Sequence, residues 1–243
     1  MWKRNTVGGD IVIASYNSRN RTVSDRHLSE VFSAVGRNYG FFDVGAEFSA
    51  FTDFKVRWQR SSEWIRFQVS DYLDRAPDDV LTNLADVLFS KMRGDDRDYD
   101  EVFIKYVTGK KVSRDNRNDF LSRSRNLNDT CIGEYHDLND CVDRLRDQGL
   151  LPDDLECELR WDDTKGGKAS GCSVLQKVVW VNRALDQKGI PENVLDYAVY
   201  AMFCHLMIGF PGSGRDDEYA RLVSYYPARA EAEDWMARHD LYI

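Results

Sequence analysis

Residues 194–208 limit what this chain can fold into more than any other stretch. They read Val-Leu-Asp-Tyr-Ala-Val-Tyr-Ala-Met-Phe-Cys-His-Leu-Met-Ile, apolar on every side save Asp196 and His205. A helix that is apolar all round must be enclosed all round, so the rest of the chain has to wrap it. The run is too short, and too interrupted by Asp196 and His205, to cross a bilayer, which takes about 20 apolar residues. Pro191 stands where the first helical residue is expected, since its missing N–H costs nothing there. Glu192 and Asp196 lie near the positive end of the helix dipole, and Gly209 offers a stop. Just upstream, Val174, Val178, Val179, Trp180 and Val181 are β-branched or aromatic and predict a strand over 174–181. Asn182 to Gly189 is a polar turn.

A chain of 243 residues, 42% of them hydrophobic, can supply the core that encloses such a helix, in one large domain or two small ones. The net charge of −8 argues against nucleic-acid affinity over the whole surface. Five cysteines, an odd number with no C-x-x-C pair, signal neither a disulfide framework nor a zinc ribbon. Met1-Trp2-Lys3-Arg4-Asn5 leads into no apolar segment of the secretory type, so the expectation is a cytoplasmic, reduced protein.

Along the chain, Ile11-Val12-Ile13 predicts a short strand or extended arm, and Asn17 to Thr22 a polar loop. Ser24 is the expected N-cap of a helix whose Leu28, Val31, Phe32 and Val35 face a core. Val44 to Val69 reads as a β-hairpin. Phe48, Ala50, Phe54, Val56 and Trp58 mark its first arm, residues 60–63 its turn, and Ile65, Phe67 and Val69 its second. Pro77 opens a helix reaching about Met92, and a short helix covers 100–108. Residues 109–130 are so polar that they read as an exposed loop. A helix over 138–149, a strand over 155–161, and helices over 215–225 and 228–239 complete the pattern, with a tail, Asp240 to Ile243, that packs back on the body.

The segment Ala184-Leu185-Asp186, Ile190-Pro191, Val194-Leu195-Asp196-Tyr197-Ala198-Val199-Tyr200 resembles the lead-in to the active-site helix of SprT-like zinc metallopeptidases, small gluzincins of the zincin fold. The hairpin and the Ala76-Pro77-Asp78-Asp79-Val80-Leu81 helix resemble their layout too, so the likeness runs over roughly residues 41–243. The family continues into His-Glu-x-x-His, in which two His one turn apart grip zinc and the Glu is the general base for metal-bound water. Here the five residues are Ala201-Met202-Phe203-Cys204-His205. Ala201 cannot ligate a metal and Met202 cannot accept a proton. The family's third ligand comes from a His-x-x-x-Phe/Tyr pattern. Here Tyr219 supplies the aromatic, but Arg215, a permanent cation, stands in the place of the His.

Several other side chains carry candidate chemistry. His205 is either a remnant metal ligand or a half-buried histidine with a structural partner. Cys204 points about 100° away from it on a helix. Asp216, Asp217 and Glu218 could reach the His205 face and form a carboxylate–imidazole site. The loop from Gly209 to Asp216 has the glycines of a phosphate-binding loop, but Arg215 and Asp216 replace its Lys and Ser/Thr, and a helix precedes it. Arg114, Arg117, Arg123 and Arg125 could touch nucleic-acid phosphates, although aspartates interleave. Cys131, Cys141, Cys157 and Cys172 with His136 lack zinc-site spacing, and Glu134-Tyr135-His136-Asp137 has no nucleophile placed beside it.

The expected fold is therefore α+β and zincin-like, with a small mixed sheet against the 191–209 helix and additional helices. It consists of an N-terminal strand and helix extension over 1–40 continuous with a domain over 41–243. The resemblance implies a SprT-like protein without its peptidase, whose role is binding a peptide or protein. The exposed edge of Val178, Val179, Trp180 and Val181 would take an added strand. No cofactor is expected under this reading. The alternatives are a zinc hydrolase rearranged around His205 and a nucleic-acid-associated adaptor using the 114–125 arginines.

Overall fold

The computed structural model describes residues 18–95, 97–210 and 215–243. The expected strand or arm at Ile11–Ile13, and residues 211–214 of the glycine-rich loop, lie outside the described residues. Among the described residues the architecture is α+β, with two three-stranded mixed sheets where one was expected.

The first sheet holds β1 (Asp43–Ser49), β2 (Val56–Arg60) and β3 (Trp64–Ser70) in the order β1-β3-β2. β2 and β3 form the expected hairpin, with Trp58 opposite Phe67. The residues up to Ser49 are a separate strand, parallel to β3, with Val44 beside Ile65 and Phe48 beside Val69. Alternation is a local signal, and it does not distinguish one bent arm from two strands. Helix α1 (Ser18–Asn38) begins six residues before the expected cap at Ser24, so Ser18 to Thr22 is helix rather than loop. Its Leu28, Phe32 and Val35 meet Val44, Ala46, Phe48, Ile65, Phe67 and Val69, and α2 (Asp78–Arg93) adds Val80, Leu84 and Phe89. A boundary at residue 40 would part α1 from the strand it lies on. α1 also faces the outer edge of β1. One side chain per turn serves that edge: Asp25 accepts from the Phe48 N–H at 2.8 Å, Ser29 from the Ala46 N–H at 3.4 Å, and Ser33 donates to the Val44 carbonyl at 2.9 Å.

The short helix α3 (Glu101–Val107) follows, capped by the Asp100 carboxylate on the Phe103 N–H. The predicted loop over 109–130 is instead largely a helix, α4 (Lys110–Arg123). It docks mainly through polar side chains. Asn116 donates to the Tyr72 carbonyl, Arg117 to the Gln176 carbonyl, and Arg123 to the Phe51 carbonyl and the Asp71 carboxylate. Only Phe120 is a buried apolar anchor.

The second sheet, β4 (Glu158–Asp162), β5 (Ser170–Ser173) and β6 (Val178–Asn182), runs in the order β4-β6-β5, with α5 (Leu138–Asp147) preceding it. The strand expected over 174–181 starts at Val178, because residues 174–177 turn the β5–β6 hairpin and carry Lys177 at φ 55°. Helix α6 (Glu192–Ile208) lies on this sheet. α5, α7 (Asp216–Val223) and α8 (Arg229–Arg238) close round it. The enclosure demanded by its apolar surface is met: every residue from Val194 to Cys204 is buried. Pro191 is the extended residue that caps α6, one place earlier than expected. The tail packs back, burying Leu241 and bridging Tyr242 to Lys168. Leu175 enters the first core, and Phe210 stands among Phe54, Tyr99 and Phe103, joining the two halves.

Candidate functional site

The segment between β6 and α6 is positioned by two buried carboxylates. Asn182 caps a single 3-10 turn, Arg183–Leu185, by accepting from the Ala184 N–H. Asp186 then turns inward. Its carboxylate accepts three successive N–H groups, from Glu134 at 2.6 Å, Tyr135 at 3.0 Å and His136 at 3.1 Å. Arg183 adds an ion pair at 3.4 Å. Gly133 makes room for it, since a Cβ there would overlap the carboxylate. So the Glu134–Asp137 cluster serves structure: its backbone wraps Asp186, and Asp137 caps α5. The second carboxylate, Asp196, is 3% exposed inside α6. Arg144 of α5 meets it in a fork, Nε to Oδ2 at 2.9 Å and Nη2 to Oδ1 at 2.6 Å.

One turn and a half further on come the two positions that the sequence resemblance sets against a zincin's first ligand and base. Ala201 and Met202 are both buried in the core. His205 is half-buried, and its ring stacks on Tyr219 with centroids 4.2 Å apart and planes 12° from parallel. Burial, then the Lys168 cation, hold its pKa below the ordinary 6.5. Burial pushes the neighbouring thiols up, Cys204 to about 12 and Cys172 to about 11, so neither is a thiolate near neutral pH. Arg215, in the place of a third ligand, donates instead to the Ile208 carbonyl at the end of α6. Asp216, Asp217 and Glu218 are exposed in the first turn of α7. Among the described residues no three His, Cys, Asp or Glu side chains gather as a metal-binding group. A zinc of the kind SprT-like peptidases hold does not fit this set: Ala201 has no donor atom, Met202 is an apolar core residue, and Arg215 is a cation.

The depressed pKa of His205 makes a prediction. The unfolded chain binds the imidazole proton more readily than the folded one, so unfolding is favoured where the ring charges. The stability this group contributes is complete above pH 6.5 and is lost as the pH falls through its folded value. An NMR titration should place the His205 midpoint below 6.5, and His205→Gln should flatten the fall in stability on the acid side.

Two sequence expectations are corrected. β6 is the central strand of its sheet, with β4 parallel on one side and β5 antiparallel on the other. Val178, Val179, Trp180 and Val181 therefore present no free edge and cannot take an added strand. The four arginines of 114–125 do not share one face either. Arg117 and Arg123 are taken up by the carbonyl and carboxylate contacts that dock α4, and the Arg123 guanidinium also lies 5.0 Å from the Tyr72 ring centroid. Arg114 and Arg125 are exposed. Accordingly, Arg123→Ala should cost about 2 kcal/mol of stability, while Arg114→Ala should stay within about 0.5 kcal/mol, both read from urea unfolding.

The Asp186 nest and the Arg144–Asp196 fork were missed from sequence. An aspartate inside an apolar helix is a usable signal for a buried cation, but each partner lies about 50 residues away. No family model, curated protein or solved structure matches the chain. No helix among the described residues is long and apolar enough to cross a membrane.

Proposed function

We propose that the chain is a SprT-like, zincin-type domain that has lost peptide-bond hydrolysis and works as a peptide- or protein-binding protein. The observation that carries this reading is the burial of Ala201 and Met202, on an enclosed helix, at the two positions where ligand and general base would have to face a cleft. The setting agrees with it: a mixed sheet whose outer strand β5 is antiparallel to its neighbour and packs beside α6. With no donor at 201, no base at 202 and a cation at 215, these three positions can neither hold the family's zinc nor deprotonate a water. What the same region retains is recognition ground. His205 and Tyr219 are half-buried, and Lys168 stands exposed close by. A neutral imidazole, a phenol ring and an ammonium group can contact a peptide without any metal.

The experiment is a peptidase assay on an unfolded protein substrate with zinc supplied, wild type beside His205→Ala. The reading expects no turnover that separates the two. Zinc-dependent cleavage lost in His205→Ala would overturn it in favour of a rearranged hydrolase.

A further inference from the structure

The two outer edges of the first sheet are treated differently. The β1 edge is satisfied by the Asp25, Ser29 and Ser33 ladder of α1. Among the described residues the β2 edge has no such cover. The bonds Ser70 N–H to Lys55 carbonyl and Ser61 N–H to Trp64 carbonyl bracket the β2–β3 ladder. Antiparallel pairs alternate, so with the observed register Arg57 and Gln59 point their backbone groups at β3. The N–H and C=O groups of Val56, Trp58 and Arg60 then point outward. None of them has a partner among the described residues, and an uncovered edge of this kind is a template for another strand.

The strand is self-complementary. A two-fold axis through Trp58 sets it opposite the partner's Trp58, Val56 opposite the partner's Arg60, and Arg57 opposite the partner's Gln59. Every outward N–H then meets an outward C=O. No cation faces a cation, whereas moving the axis by one residue to Arg57 sets two arginines against each other, which is destabilising. Trp58 is 45% exposed on the α1 side of the sheet. It borders an open groove of about 730 Å³ lined by Ser29, Ala46, Val56 and Phe67 and also by Arg57, Gln59, Arg66 and Gln68.

We infer that the chain forms a two-fold dimer through antiparallel pairing of β2 with β2 about Trp58, joining two three-stranded sheets into one of six. A single five-residue strand pair is a small interface, so the dissociation constant should be on the order of micromolar.

Sedimentation velocity of the full chain between about 1 and 100 µM should show the mass shifting from monomer to dimer. Trp58→Pro removes an outward N–H that makes no bond among the described residues, and should leave the circular dichroism unchanged while abolishing the dimer. Trp58→Cys places two thiols across the axis, where Cα atoms of a hydrogen-bonded pair are about 5.5 Å apart, within disulfide reach. Mild oxidation should link it as a dimer. Gln59→Cys, whose copies sit on opposite sides of the axis, should stay unlinked, as should the wild type. A monomer at every concentration would overturn the inference. So would a dimer that Trp58→Cys fails to link, or one that forms only after residues 1–17 are removed, which would mean that the chain covers this edge itself.

Discussion

Arg144→Ala is expected to lower the free energy of unfolding by about 3–5 kcal/mol, the cost of leaving a buried charge without its partner. The arginine side chain is about one-third exposed, but the carboxylate it holds is 4% exposed. Removing the guanidinium takes away both bonds of the fork and strands Asp196 in the middle of the second core. The hydrogen bond to Asp196 also raises the Arg144 pKa, so the arginine stays charged at any working pH. The shape of the loss separates charge from packing. Arg144→Met keeps most of the stem and should be nearly as damaging as Arg144→Ala. The double variant Arg144→Met with Asp196→Leu should recover most of the stability, since an apolar pair of similar volume often replaces a buried ion pair without loss. Urea midpoints of the four proteins measure this directly. A loss below about 1 kcal/mol in Arg144→Ala would mean that Asp196 reaches water.

Asp186→Ala should cost about 3 kcal/mol, because three backbone N–H groups lose a charged acceptor together and stay buried. Gly133→Ala attacks the same contact from the other side. Its new Cβ would overlap a carboxylate held by Glu134, Tyr135 and His136, so the carboxylate cannot simply swing away. The two substitutions therefore disrupt one interaction, and their combination should cost much less than the sum of the single changes. Additive losses in urea unfolding would show instead that Gly133 and Asp186 act through separate contacts. The nest matters for the site because it fixes the turn that delivers Pro191 and α6 to β6.

What could be read from the sequence followed from local physics. The all-round apolarity of 194–208 predicted an enclosed helix, and the structure encloses it. The short helix near 100–108 and the Pro77 start of α2 were likewise legible, because such signals act within a few residues. Helix α4 was not, since periodicity of apolar residues is the usual signal and its contacts are made by Asn116, Arg117 and Arg123 reaching distant carbonyls. The pairing of β1 with β3 was hidden for a related reason: parallel neighbours are set by tertiary packing, here by α1 lying across them. The edge expected at β6 was lost because Ser170–Ser173, just before the stretch that reads as a strand, form β5 and pair with β6 on one side while β4 pairs with it on the other. At the candidate site, the lack of a metal ligand at 201 and 215 and of a base at 202 was visible in the residue types. The stacking of His205 on Tyr219 was not, because it joins two helices across a loop.

The most direct measurement is the zinc content of protein purified without a metal-affinity tag, followed by calorimetric zinc titration of the wild type and of His205→Ala. The account predicts far less than one zinc per chain and the same titration for both proteins, because one imidazole on an apolar helix is a weak ligand by itself. One tightly held zinc per chain, lost in His205→Ala, would contradict it.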